Sequence, residues 1–186
     1  MAFVIPEGLA PEVYPMAWLL GHWRGEGVLA YPGIEETAFR QDVVFDHDGG
    51  PYLSYSATIR LLVVPDSPED IADPERQGPV WATESGFWRV PPDRPEDLPE
   101  DRHPIEAMLA DPSGHLSLYV GAIGNGRIDL VSDLIARTPT AADVTAASRL
   151  YGYVEGDLMW AWDLAAFGEP LQSYASARLS RVEDPE

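Results

Sequence analysis

A chain of 186 residues, 45% of them hydrophobic, is long enough to bury one core and too apolar for wholesale disorder. Its 31 acidic and 12 basic residues give a formal charge of −19, a field that repels phosphate backbones and anionic lipid, so neither nucleic acid nor a membrane surface is expected as a partner. There is no cysteine, which excludes disulfides and thiol chemistry.

The first residues, MAFVIPEGLAPEVYP, carry no basic export signal, and no apolar run reaches the length of a membrane span, so a cytoplasmic protein is expected. Pro11 to Leu20 places Val13, Met16, Leu19 and Leu20 at helical offsets: either a helical turn or two plugging the end of a barrel, or an irregular lead-in. From Trp18 to Pro32 the period changes to two. Gly21, Trp23, Gly25, Gly27, Leu29 and Tyr31 share one strand face, and His22, Arg24, Glu26, Val28 and Ala30 share the other. Repeated glycines on one face signal a tight bend or a close approach, as at the corner of a coiled strand. Tyr31-Pro32-Gly33 closes the strand as a turn, proline setting φ and glycine allowing it to be positive.

Glu35 to Phe45 alternates, with Thr37, Phe39 and Gln41 opposite Ala38, Arg40 and Asp42; Asp46 to Gly50 makes a hairpin loop, and Pro51 to Val64 returns. Two acidic, proline-rich stretches, 65–79 and 91–104, read as solvated surface loops that are able to flank an opening. Val80 to Val90 lies between them as a strand, with Trp81, Thr83, Ser85 and Phe87 on one face. Within it Glu84 is either outward and solvated, the commoner case, or inward and paired with an arginine. Six more strands follow, beginning near Ile105, His115, Arg127, Asp143, Leu158 and Pro170, joined by short turns such as Gly124-Asn125-Gly126 and Glu155-Gly156-Asp157. In the fifth of these, Trp160 and Trp162 suit core packing better than a cavity wall on base rates. About ten antiparallel strands with short connections predict one all-β domain over residues 1–186, an up-and-down β-barrel of lipocalin-like shape that loses its edges by closing.

Chemistry is sparse at this level. There is no nucleophile elbow or phosphate loop, and His22, His47, His103 and His115 show no metal-ligand spacing, so no catalytic residue and no metal ligand is assigned. His47 and His103 read as exposed loop residues, His22 as outward, and His115 as the start of a strand.

Gly21-His22-Trp23-Arg24-Gly25-Glu26-Gly27 with Tyr31-Pro32 resembles the G-x-W-x-G-x-G motif of the nitrobindins, haem-binding β-barrels related in shape to fatty-acid-binding proteins. The resemblance continues through Phe45 to Leu53, Glu84-Ser85-Gly86-Phe87, Leu164-Ala165-Ala166, Pro170-Leu171-Gln172 and Ala177-Arg178-Leu179. It implies a barrel whose haem members hold ferric haem b through one histidine near the start of the last strand, bind nitric oxide and convert peroxynitrite to nitrate. Here the matching position is Tyr174, and the threonine that approaches the haem is replaced by Gly33. Imidazole ligates iron without ionising, whereas a phenol must first lose a proton against an ordinary pKa of about 10. Arg178, four residues on, is on the face of Tyr174 in a regular strand but about 13 Å along it.

The expectation is therefore a nitrobindin-like barrel with no cofactor, or only weakly held haem b, whose partner is a small hydrophobic ligand. The alternatives are a peroxynitrite isomerase or nitric-oxide binder with a Tyr174 tyrosinate ligand, and a fatty-acid or lipid carrier anchored by an inward arginine among Arg60, Arg89 and Arg149.

Overall fold

Strong alternation with turn residues between the runs leaves one economical solution, a meander closed on itself. The computed structural model describes residues 7–62 and 78–182. The strands are β1 (Gly21–Tyr31), β2 (Ile34–Asp46), β3 (Leu53–Leu61), β4 (Val80–Arg89) and β5 (His103–Asp111). They continue as β6 (His115–Gly124), β7 (Arg127–Arg137), β8 (Val144–Val154), β9 (Asp157–Ala166) and β10 (Gln172–Arg181). Every sequential pair is antiparallel, and β1 pairs with β10, so the ten strands form a closed barrel. A 3₁₀ helix (Pro11–Leu19) precedes β1 and buries Val13, Met16, Ala17 and Leu19.

Closure depends on the glycine face. Gly25 stands opposite Leu179 and Gly27 opposite Ala177 across the β1–β10 seam. A Cβ on Gly25 would run into the Arg178 carbonyl oxygen and sit 2.7 Å from Leu179 Cα; one on Gly27 would meet the Ser176 carbonyl and lie 2.5 Å from the Phe39 ring. The missing side chains let the seam coil tightly. Gly33 serves the turn instead, with φ of +85° after Pro32, the third position of a type II turn.

The two ends of the barrel differ. At one end the 3₁₀ helix caps a layer of fully buried residues that includes Trp23, Phe45, Leu53, Trp88, Ile123 and Ile128. Trp23 donates its indole N–H to the Leu19 carbonyl at 2.6 Å, and the Arg181 guanidinium lies 4.2 Å over the Trp23 ring, tying helix, first strand and last strand together. The loop between β4 and β5 belongs to this closed end, because β4 finishes beside the start of β3, with Trp88 opposite Leu53. The 91–104 stretch therefore does not flank the mouth, and its last residues, His103 and Pro104, already belong to β5. The 65–79 stretch connects β3 and β4 at the other end, but 65–77 lie outside the described residues. Among the described residues no helix is long and apolar enough to cross a membrane.

Gly25→Ala is expected to destabilise the fold by about 1–3 kcal/mol, because the neighbouring atoms are backbone and cannot step aside. Urea denaturation should show a lower midpoint, whereas Gly152→Ala in β8, whose Cβ would make only an ordinary contact with the Val154 side chain at 3.7 Å, should lose less than half as much.

Candidate functional site

Where the closed end is filled by large aromatic residues, the other half of the barrel holds small inward residues, Ala57 and Ala82 among them, and a cavity of about 460 Å³ remains. Ile59, Ile135, Val144 and Leu164 give it apolar walls. Trp160 and Trp162 also line it, which corrects the expectation that they pack only as core. The β9 face brings them in because Leu158, Trp160, Trp162 and Leu164 alternate regularly with the outward Met159, Ala161 and Asp163.

The cavity floor is polar. Glu84 points inward, overturning the commoner outward reading, and Arg149 from β8 grips it bidentately, with Nη1 to Oε1 at 2.6 Å and Nη2 to Oε2 at 2.8 Å. Tyr55 donates a third bond to Glu84 Oε1 at 2.6 Å. The Arg149 guanidinium also lies 4.2 Å over Trp162 and 4.9 Å over Tyr119. Burial pushes the Glu84 carboxyl up, but the Arg149 charge and the hydrogen bonds from Arg149 and Tyr55 outweigh it and hold the carboxyl below its ordinary value. Burial beside this pair drives the Tyr151 phenol up to about 12. Across the floor, Trp160 donates its indole N–H to Gln41 Oε1 at 2.7 Å.

Two β-bulges shape the mouth. In β4 Trp81 is the extra residue between the Ile59–Ala82 and Arg60–Val80 pairs; in β10 Tyr174 is the extra residue between Ser173–Asp163 and Ala175–Trp162. Bulges re-aim side chains at barrel rims. Here they bring together two residues 93 apart in sequence, and Trp81 Nε1 donates to the Tyr174 hydroxyl oxygen at 2.7 Å. Tyr31 and Trp162 pack edge-on against the Tyr174 ring at 5.9 and 5.0 Å. Burial raises the Tyr174 pKa, and the Trp81 bond offsets this only in part. The same bulge undoes the expectation that Arg178 shares the Tyr174 face. Beyond it Ala175, Ala177 and Leu179 point in, while Arg178 points out and bonds Asp157 at 2.5 Å.

His115 is buried on the cavity rim, where its strand start at a turn had suggested no role. Its Nε2 lies 2.9 Å from the Ala142 carbonyl, and its Nδ1 lies 3.2 Å from both Ser113 Oγ and Asp111 Oδ2. His47, expected in solvent, is only half-exposed in the β2–β3 turn. His22 bonds Asp42 on the outer wall, and His103 is exposed.

Of the residues singled out from sequence, Tyr174, Glu84, Arg149, Trp160 and Trp162 lie on the cavity; Gly21, Trp23, Gly25 and Gly27 build the closed end and the seam, and Gly33 faces solvent. Sequence reasoning passed over Gln41, Trp81 and His115 as cavity residues, whereas Arg149 was one of the three arginines offered as inward, and it is the one that reaches the cavity. For Gln41 a signal existed, since it alternates with Phe39 and Val43 on the inward face of β2.

Comparison with known proteins places these features in context. Residues 12–181 match the model of the family described as THAP4-like, heme-binding beta-barrel domain. A ferric nitrobindin-like protein of Beutenbergia cavernae is 48% identical, the alignment covering 98% of this chain and 100% of that protein. A peroxynitrite isomerase of Clavibacter sepedonicus is 39% identical over 96% of this chain and 98% of its own. Among solved structures, that of Rv2717c from M. tuberculosis superposes with a TM-score of 0.74 at 31% identity, covering 94% of this chain and 99% of that one.

Removing one member of the buried pair strands the other. Glu84→Gln and Arg149→Met should each cost about 3–5 kcal/mol in urea unfolding, and the double variant less than their sum. Because the folded-state pKa of Glu84 is lowered, its contribution is present above the ordinary value of 4.5 and is lost as pH falls through the lowered one. The wild type should therefore lose stability on acidification below that value more steeply than Glu84→Gln.

Proposed function

The chain belongs to the family of THAP4-like, heme-binding β-barrel domains, and from that premise we propose that it is a member that binds no haem, or binds it weakly, and holds a small apolar ligand instead. The single observation that carries this reading is the state of Tyr174. Its phenol is held protonated by burial and accepts the Trp81 indole N–H. To ligate ferric iron it would have to ionise in a site where, among the described residues, no cation assists: Arg178 points outward and Arg149 is neutralised by Glu84.

The rest of the cavity fits haem no better. Of the four histidines only His115 lines it, and both ring nitrogens of His115 are engaged. Haem propionates would enter a protein of charge −19 and find Arg149, the inward arginine among the described residues, already taken. That pairing also weakens the fatty-acid carrier reading, because Arg89 bonds Glu106 on the outer wall and Arg60 reaches the Gly78 carbonyl. The apolar walls and the volume near 460 Å³ are those of a small-molecule site.

A second reading, a tyrosinate-ligated peroxynitrite isomerase, is favoured by the name of the Clavibacter sepedonicus relative. The two separate cleanly on titration with hemin. The wild type should give no sharp Soret band and no stoichiometric end point, while Tyr174→His, which sets a neutral imidazole on the same bulge, should gain both. A tight one-to-one wild-type complex would overturn the first reading. The second then requires that hemin-loaded protein speed peroxynitrite decay beyond free hemin, and that Tyr174→Phe lose the gain.

A further inference from the structure

We infer that Gln41 is the anchor of the cavity, reading a ligand that is neutral and apolar except for one hydrogen-bond acceptor, such as a ketone, ester or quinone oxygen. This rests on the cavity being a ligand site, as proposed above. Gln41 is 5% exposed and is one of the residues lining the cavity. The indole N–H of Trp160 can only donate, so the group 2.7 Å away must be the amide oxygen. That fixes the flip of the amide and turns its NH₂ away from Trp160. Among the described residues this NH₂ has no hydrogen-bond partner. A donor so placed inside an apolar wall is costly when unmatched and selective when matched.

The ligand's charge follows from the neighbouring groups. The Arg149 charge is balanced by Glu84, which both Nη groups and Tyr55 hold, and only the buried Arg149 Nε–H is left without a partner, so the ion pair presents no net charge to an incoming molecule. A carboxylate would have to displace Glu84 to gain a cation, within a field already strongly negative. An ammonium would find Glu84 already paired. Two other donors of lining residues lack a partner, the Trp162 indole N–H and the Arg149 Nε–H, but both atoms are fully buried in the wall; beside them the Gln41 NH₂ is a neutral donor, whose complement is a neutral acceptor.

Three naphthalenes of nearly one shape test this on the full chain, followed by tryptophan fluorescence or calorimetry: 2-acetylnaphthalene, 2-isopropenylnaphthalene, in which CH₂ replaces the ketone oxygen, and 2-naphthoate. Gln41→Met should weaken the ketone about tenfold while leaving the alkene within about twofold, the alkene also reporting that the cavity is intact. Gln41→Glu at pH 8 keeps an oxygen for Trp160 and loses the amide NH₂, so it should weaken the ketone at least as much. Equal losses for ketone and alkene in both variants would remove Gln41 as the anchor while leaving the cavity a ligand site. Tightest wild-type binding by naphthoate would overturn the neutrality of the ligand. Binding of none of the three would overturn the cavity as a ligand site, and this inference with it.

Discussion

Everything in this molecule follows from the contact of β1 with β10. Ten strands laid side by side leave two edges of unpaired backbone groups, and only closure satisfies them. Closure requires the first and last strands to coil around each other at short range, which Gly25 and Gly27 permit by presenting no Cβ to the Arg178 and Ser176 carbonyls. Trp23, in the same row, supplies the bulk that the glycines lack and hangs the 3₁₀ helix on its indole N–H. The glycine–tryptophan row is thus an architectural device, remote from the cavity it makes possible.

Once the barrel is closed, its polarity is set by residues that break local rules. A glutamate and an arginine inside a barrel are costly unless each satisfies the other, and the bidentate geometry with a third bond from Tyr55 does that. The two bulges likewise break the alternation of β4 and β10. Without them Trp81 and Tyr174 would follow their neighbours Thr83 and Ser176 to the outside; with them they meet across the mouth. Tyr174 thereby becomes half of an aromatic bridge across the mouth, its hydroxyl accepting the Trp81 indole N–H.

The fold was legible in the sequence for a plain reason: period two, hairpin turns and glycine placement are local properties, and all ten strands fall where the alternation puts them. The site was less legible because it depends on events that alternation cannot express. A bulge is one residue long and leaves no compositional trace, so Tyr174 and Arg178 seemed to share a face that they do not share. The partner of Glu84 lies 65 residues away on a strand four places around the barrel, and nothing near either residue announces the other. Gln41 was the exception, a polar side chain in an apolar row, readable in principle as a buried donor.

The cavity by itself is weak grounds for a ligand. About eight strands enclose an interior that side chains can just fill, and a ten-stranded barrel is wider, so a void is a geometric consequence of strand number. This chain fills one end of the barrel with Trp23, Trp88 and Phe45 and leaves room at the other, where small residues such as Ala57 and Ala82 stand among the aromatic walls. Purely structural demands would favour an apolar lining there, since an unmatched buried donor lowers stability without improving packing. The retention in Gln41 of a fixed amide whose NH₂ has no partner among the described residues, beside an ion pair whose charges cancel, is therefore what points to the proposed occupant, and the missing acceptor says what that occupant would carry.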